Sequence, residues 1–270
     1  MSAAVLEARG VSKRFGAVQA LTDVDFSVAA GEVVALVGDN GAGKSTLIKA
    51  IAGVNVADDG EFTFLGAPVD IKSPHDAARL GIATVYQDLA LCDNLDVAGN
   101  LYLGRESYLP SFLRWLYMLN DTRMEQRSME LILSLSARIP SVTTPVASLS
   151  GGQRQIVAIA RSLLGDPKMV ILDEPTAALG VAQTRQVLDL ILELKKRNLA
   201  VVVISHNLAD VFEVADRITV LRLGQNAGDY LASATTREEI VGAITGGLGI
   251  GGPIPGGGGE PAAPAAGAAP

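Results

Sequence analysis

A continuous apolar run, Val33-Val34-Ala35-Leu36-Val37, ends at Gly38-Asp39-Asn40-Gly41-Ala42-Gly43-Lys44-Ser45-Thr46 and gives way to a helix-forming stretch over 44–51. A strand apolar at every position has no face to offer water, so it belongs inside a sheet covered on both sides. The residues that follow have the spacing Gly38-x4-Gly43-Lys44-Ser45. This spacing lets successive backbone N–H groups curl around an anion without Cβ atoms in the way. In such a loop Lys44 reaches the β- and γ-phosphates of a nucleotide, and Ser45 offers a hydroxyl to Mg2+, a hard ion that takes oxygen ligands. The alternative is a glycine-rich turn that fits the pattern by chance. A strand before the loop and a helix after it weigh against that.

Composition narrows the partners. Of 270 residues 49% are hydrophobic but only 4% aromatic, so the core must be built from Val, Ile, Leu and Ala, which suits a parallel sheet under helices. The length allows one compact domain with a subdomain. The formal net charge of -7 and the lack of a Lys/Arg cluster argue against nucleic acid as a partner. Cys92, the single cysteine, has no intrachain disulfide partner, and no signal-peptide pattern opens the chain. Both lead us to expect a cytosolic protein. The longest apolar runs, 200–204 and 169–172, are far shorter than the ~20 residues of a spanning helix, so any work at a membrane needs a spanning partner.

The remaining pattern predicts an α/β fold. Val24, Phe26 and Val28 alternate with Asp25 and Ser27, and Phe62 and Phe64 flank Thr63, as in an N-terminal antiparallel layer. From about 89 to 161 the pattern turns helical, clearest over 124–135, and predicts an inserted α-helical subdomain. Its most apolar stretch, 112–119, reads either as a helix packed within that subdomain or as a patch that docks a partner. Beyond Pro167, strand 169–172, helix 181–197 and strand 200–204 give the βαβ alternation of a mostly parallel sheet. Residues 246–270 are nearly all Gly, Pro and Ala, a composition expected to be disordered. The catalytic unit is thus expected over 1–245.

Two further segments carry chemistry. Met169-Val170-Ile171-Leu172-Asp173-Glu174 is a strand ending in two acids, which suits Asp173 for the metal and Glu174 as general base for a water. Without the phosphate loop, Asp-Glu before Pro175 could equally cap a turn. In Leu149-Ser150-Gly151-Gly152-Gln153-Arg154-Gln155, Ser150 and two glycine N–H groups precede a helix expected over 155–164. They could address a second phosphate, or Ser150 could be a plain N-cap.

Together these segments resemble the nucleotide-binding domain of ABC transporters, over roughly residues 5–245, because separate motifs occur in the family's order. The resemblance implies a P-loop NTPase core that binds ATP and Mg2+ and hydrolyses ATP. Residues 38–46 would hold one ATP, and Ser150, Gly151, Gly152 and Gln153 of a second copy would close over it in an ATP-sandwich homodimer. It further implies that Phe15 stacks on adenine, where a core Phe is the alternative. Gln87 would touch Mg2+ and the attacking water, and His206 would contact the γ-phosphate. His75, after Ser73-Pro74, carries no such match and is expected in a loop. Permease subunits are the implied membrane partners, contacted after Gln87, at the cytoplasmic face.

Gly180 departs from the commoner pattern, which has an Asp there to couple the two sites. The Gly form, with the stretch 85–106 and Ser205-His206-Asn207, is similar to the branch that imports monosaccharides such as ribose, xylose or fructose, fed by an extracytoplasmic sugar-binding protein. A soluble ATPase of the same type acting on ribosomes or DNA is the competing reading. The acidic charge, the lack of tandem domains with a charged linker and the lack of long coiled coils count against it.

Overall fold

A computed structural model describes residues 4–108 and 118–247. Two sheets share the molecule. The first is antiparallel, in the order β2-β1-β4-β5, from β1 (Ala4–Phe15), β2 (Val18–Ala29), β4 (Asp59–Phe64) and β5 (Ala67–Val69). The alternation at 24–28 and 62–64 foreshadows this layer, since Val24, Phe26, Val28, Phe62 and Phe64 all face its core.

The second sheet has the order β10-β9-β3-β8-β7-β6. Strands β3 (Val33–Val37), β6 (Ile82–Val85), β7 (Met169–Asp173), β8 (Ala200–Ile204) and β9 (Arg217–Arg222) run parallel, and β10 (Gln225–Leu231) pairs antiparallel with β9. All five residues of β3 are buried. On β7, Val170 and Leu172 enter a core shared with the helices, while Met169 and Ile171 enter the core under the antiparallel sheet. A strand covered on both faces needs an unbroken apolar run, which is what β3, β7 and β8 carry.

Arg217 joins the two sheets. Its guanidinium donates to Glu32 Oε1 at 2.8 Å and to the Ser27 carbonyl at 2.6 Å, and pairs with Asp229 at 3.2 Å. A half-buried guanidinium with several acceptors is well satisfied, and the arrangement fixes β2 against β9.

Helices α1 (Lys44–Ile51), α2 (Pro74–Leu80), α3 (Val97–Tyr102), α4 (Asp121–Ser134), α5 (Gly151–Leu163), α6 (Val181–Lys196), α7 (Leu208–Val214) and α8 (Arg237–Thr245) complete the fold. The helices α3 to α5 fall between β6 and β7, in the stretch expected to be helical. Three expectations shift. Helix α4 begins at Asp121, where the Asn120 side chain accepts from the Arg123 N–H and sets the start. Helix α5 begins at Gly151 instead of 155, because Ser150 caps it. His75 lies in the first turn of α2, behind the Ser73 cap and Pro74 at the favoured first position, not in a loop. Most of the apolar stretch 112–119, and the Gly/Pro/Ala segment from 248 onward, lie outside the described residues.

Candidate functional site

Parallel strands deliver their carboxyl ends to one edge, and that edge collects the predicted site. Val37 of β3 leads into the loop 38–46, Ile204 of β8 leads to Ser205 and His206, Asp173 ends β7, and Gln87 follows two residues after β6.

The loop has the shape its glycines suggest. A Cβ on Gly38 would lie 2.2 Å from the Leu221 carbonyl oxygen, and one on Gly43, at φ 101°, would lie 2.9 Å from the Ala20 carbonyl oxygen. Only glycine fits such approaches. Gly43 is also the N-cap of α1, and no side chain caps that helix. The first-turn N–H groups are therefore free to meet an anion at the positive end of the helix dipole. Asp39 is drawn into the loop itself: its side chain accepts from the Asn40 N–H at 2.7 Å, and its carbonyl from the Ala42 N–H at 3.1 Å. Ser45 and Thr46 lie in the opening turn of α1. Lys44 Nζ folds back over the loop and donates to the carbonyls of Gly38 at 2.8 Å and Asp39 at 3.0 Å. Burial lowers its pKa, against Glu174, Asp39 and Asp173, which raise it.

Asp173 is half-buried, and burial followed by the neighbouring Glu174 charge pushes its carboxyl pKa up, with Lys49 and Lys44 opposing. Glu174 sits at φ 50°, a left-handed conformation that a non-glycine residue adopts only when held. What holds it is the hydrogen bond from its N–H to the Ile204 carbonyl at 3.0 Å. The same turn brings Glu174 Oε2 to 2.8 Å from His206 Nδ1. Gln87 is exposed at the end of β6, next to β7 in the sheet. Ser45, Asp173 and Gln87 each carry an oxygen of the hard kind that Mg2+ takes.

Two predicted groups stand apart. Phe15, at the end of β1, is 46% exposed with Lys13 Nζ 5.5 Å from its ring centroid, so it is a surface ring and not a core residue. Ser150, Gly151, Gly152 and Gln153 make their local contacts away from the loop. Ser150 and Gln153 form a reciprocal cap, with Ser150 N–H to Gln153 Oε1 at 3.0 Å and Gln153 N–H to Ser150 Oγ at 3.4 Å. The two glycines abut the start of α6.

Sequence reasoning passed over four neighbours. Tyr86, half-buried, feels the Asp173 charge. Lys49 lies toward Asp173 from the last turn of α1. Thr176 Oγ1 donates to Asp210 Oδ2 at 2.6 Å and anchors the turn after Glu174. Arg161 donates to the carbonyls of Ala90 and Leu89, both at 2.8 Å, and fixes the segment after Gln87 to α5. Only Lys49 carried a signal, its place in the second turn of the helix that the loop opens.

Fold and site together define a P-loop ATPase of the α/β class. The chain belongs to the ABC transporter family, whose profile, described as ABC transporter, matches residues 21–177. It is similar to the fructose import ATP-binding protein FrcA of Rhizobium meliloti, 47% identical over 236 residues, covering 85% of this chain and 91% of that one. It is similar also to the xylose/arabinose import ATP-binding protein XylG of Sulfolobus acidocaldarius, 48% identical over 241 residues, covering 89% and 94%. Among solved structures, a nucleotide-free ATP-binding cassette from an ABC transporter superposes with a TM-score of 0.75 at 28% identity, covering 90% of this chain and 96% of that one. The protein is accordingly an ATP-hydrolysing subunit of an ABC transporter. Among the described residues, no helix is long and apolar enough to cross a membrane.

Proposed function

We propose that this subunit powers monosaccharide import, working at the cytoplasmic face of the membrane as a homodimer bound to permease subunits and supplied by an extracytoplasmic sugar-binding protein. The observation that carries the catalytic part is Glu174 Oε2 at 2.8 Å from His206 Nδ1, beside a half-buried Asp173 and an uncapped glycine loop. The sugar part rests on the identity to a fructose importer and a xylose/arabinose importer subunit over nearly their whole lengths.

In this reading, N–H groups of 38–46 wrap the phosphates and Lys44 leaves the loop carbonyls for the β- and γ-phosphates. Ser45, Asp173 and Gln87 would hold Mg2+, and the ion would offset phosphate charge. Glu174 accepts a proton from water as the water oxygen attacks the γ-phosphorus and the bond to the bridging oxygen breaks. His206 orients Glu174 through Nδ1 and turns its other ring nitrogen to the γ-phosphate. Phe15 stacks on adenine, and Ser150, Gly151, Gly152 and Gln153 of a second copy close over the same ATP. Residues 1–245 form the working unit, with its helical subdomain at about 89–161.

Co-purifying the chain with its membrane subunits and binding protein, then measuring ATPase in vesicles, tests the reading. A pentose or hexose should raise the rate. No response to any monosaccharide, with a response to another solute class, overturns the sugar assignment.

A further inference from the structure

Helices α5 and α6 begin side by side. Helix α5 opens at Gly151-Gly152 and α6 opens at Val181 behind Gly180. A Cβ on Gly152 would lie 2.8 Å from Gln183 Cβ, 3.2 Å from its Cγ and 3.3 Å from its Cα. A Cβ on Gly151 would lie 3.1 Å from Leu179 Cδ2. The glycine pair is thus seated directly on the first turn of α6, and real side chains do not approach so closely without displacement.

That first turn is rigidly tied to Glu174. Between them the chain makes one tight turn, with the Ala177 N–H donating to the Glu174 carbonyl at 3.1 Å and the Leu179 N–H to the Thr176 carbonyl at 3.3 Å. Gln183 closes it: its N–H donates to the Gly180 carbonyl at 2.9 Å, and its Oε1 accepts from the Gly180 N–H at 3.3 Å. The Gln183 backbone N–H and side-chain Oε1 are both held by Gly180, so Cβ and Cγ form a wedge under Gly152. Gly180 has no side chain and open space around it, so it cannot itself transmit a displacement.

We infer that Gln183 is a positioning residue that makes the turn bearing Glu174 and the pair Gly151-Gly152 move as one body. One chain thereby links the ATP it hydrolyses to the ATP it covers on a second copy. The inference rests on the homodimer reading above. It locates the coupling within each chain, at the position where Gly180 leaves no side chain to provide it.

The test uses the full chain. Gln183→Ala should lower kcat about tenfold, with KM and the nucleotide affinity of the monomer unchanged. In a Glu174→Gln background it should raise the protein concentration needed for ATP-driven dimerisation by a similar factor, read by analytical ultracentrifugation. Gln183→Glu keeps both the wedge and the acceptor and should restore kcat, whereas Gln186→Ala, one turn along and exposed, should match the parent. Should Gln183→Ala melt early, Gln183→Met keeps Cβ and Cγ without the acceptor and should still show reduced kcat. Parental kcat and dimerisation in folded Gln183→Ala or Gln183→Met overturn the inference. Failure of the Glu174→Gln chain itself to dimerise with ATP sinks the homodimer reading instead.

Discussion

His206 Nδ1 stands 2.8 Å from Glu174 Oε2 across the ends of two neighbouring parallel strands, with the Glu174 side chain 17% exposed and that of His206 74% exposed. The imidazole is thus a lid on a carboxylate that the backbone has already bent into a left-handed turn. A carboxylate so oriented is fit to take a proton from water. Glu174→Gln keeps the size and the contact but not the base. It should bind ATP normally, lose turnover by about 10²–10⁴-fold, and accumulate as an ATP-bound dimer in size-exclusion chromatography. Near-normal phosphate release by this variant would remove Glu174 from the reaction.

Lys44 spans the loop from inside, on the Gly38 and Asp39 carbonyls. Lys44→Ala should therefore weaken ATP binding by about tenfold to a hundredfold, the worth of a charge-assisted hydrogen bond or two. Equilibrium titration with a fluorescent nucleotide gives the number. Unchanged affinity would count against the loop as the phosphate site.

Asp173 carries a stability cost in the nucleotide-free protein, because burial and Glu174 raise its carboxyl pKa above the unfolded value. The penalty is full above the raised pKa and is relieved as pH falls through it, since the folded state then binds the proton more readily than the unfolded state. Asp173→Asn should melt higher than the parent at neutral pH without nucleotide or Mg2+, and the gap should close in acid. Calorimetry at the two pH values checks both the sign and the window. The same variant should lose Mg2+-dependent hydrolysis.

Gly180 is the N-cap of α6, with extended backbone and nothing within 4 Å of where a Cβ would stand. Gly180→Asp should therefore fit without strain and add a capping acceptor worth a few tenths of a kcal/mol. Thermal unfolding should show a small gain. A loss would mean that the site at the start of α6 is less open than its geometry states.

Local chemistry was legible and distant chemistry was not. The strands β3, β7 and β8 announced themselves because burial on both faces demands apolar residues at every position. The loop 38–46 was readable because its function depends on spacing within nine residues of chain. Helix α5 was placed late because two glycines argue against helix until the Ser150–Gln153 cap is counted. The Arg217 link to Glu32, a separation of 185 residues, and the seat of Gly152 on Gln183 depend on the packing of remote segments, and no periodicity encodes them. Phe15 stayed ambiguous because an aromatic at a strand end suits either core or surface. Its exposure removes the core alternative.

The strand order has a consequence for synthesis. Strand β3 feeds the phosphate loop, yet its two sheet neighbours are β8, from residue 200, and β9, which ends at residue 222. The Leu221 carbonyl that crowds Gly38 arrives with β9. A nascent chain on the ribosome therefore carries its nucleotide loop, unflanked, through most of translation, and the pocket acquires its shape only once residues 200–222 have emerged. Such a subunit cannot start turning over ATP half-made, and its early hydrophobic strands must be kept from other partners until their late neighbours arrive.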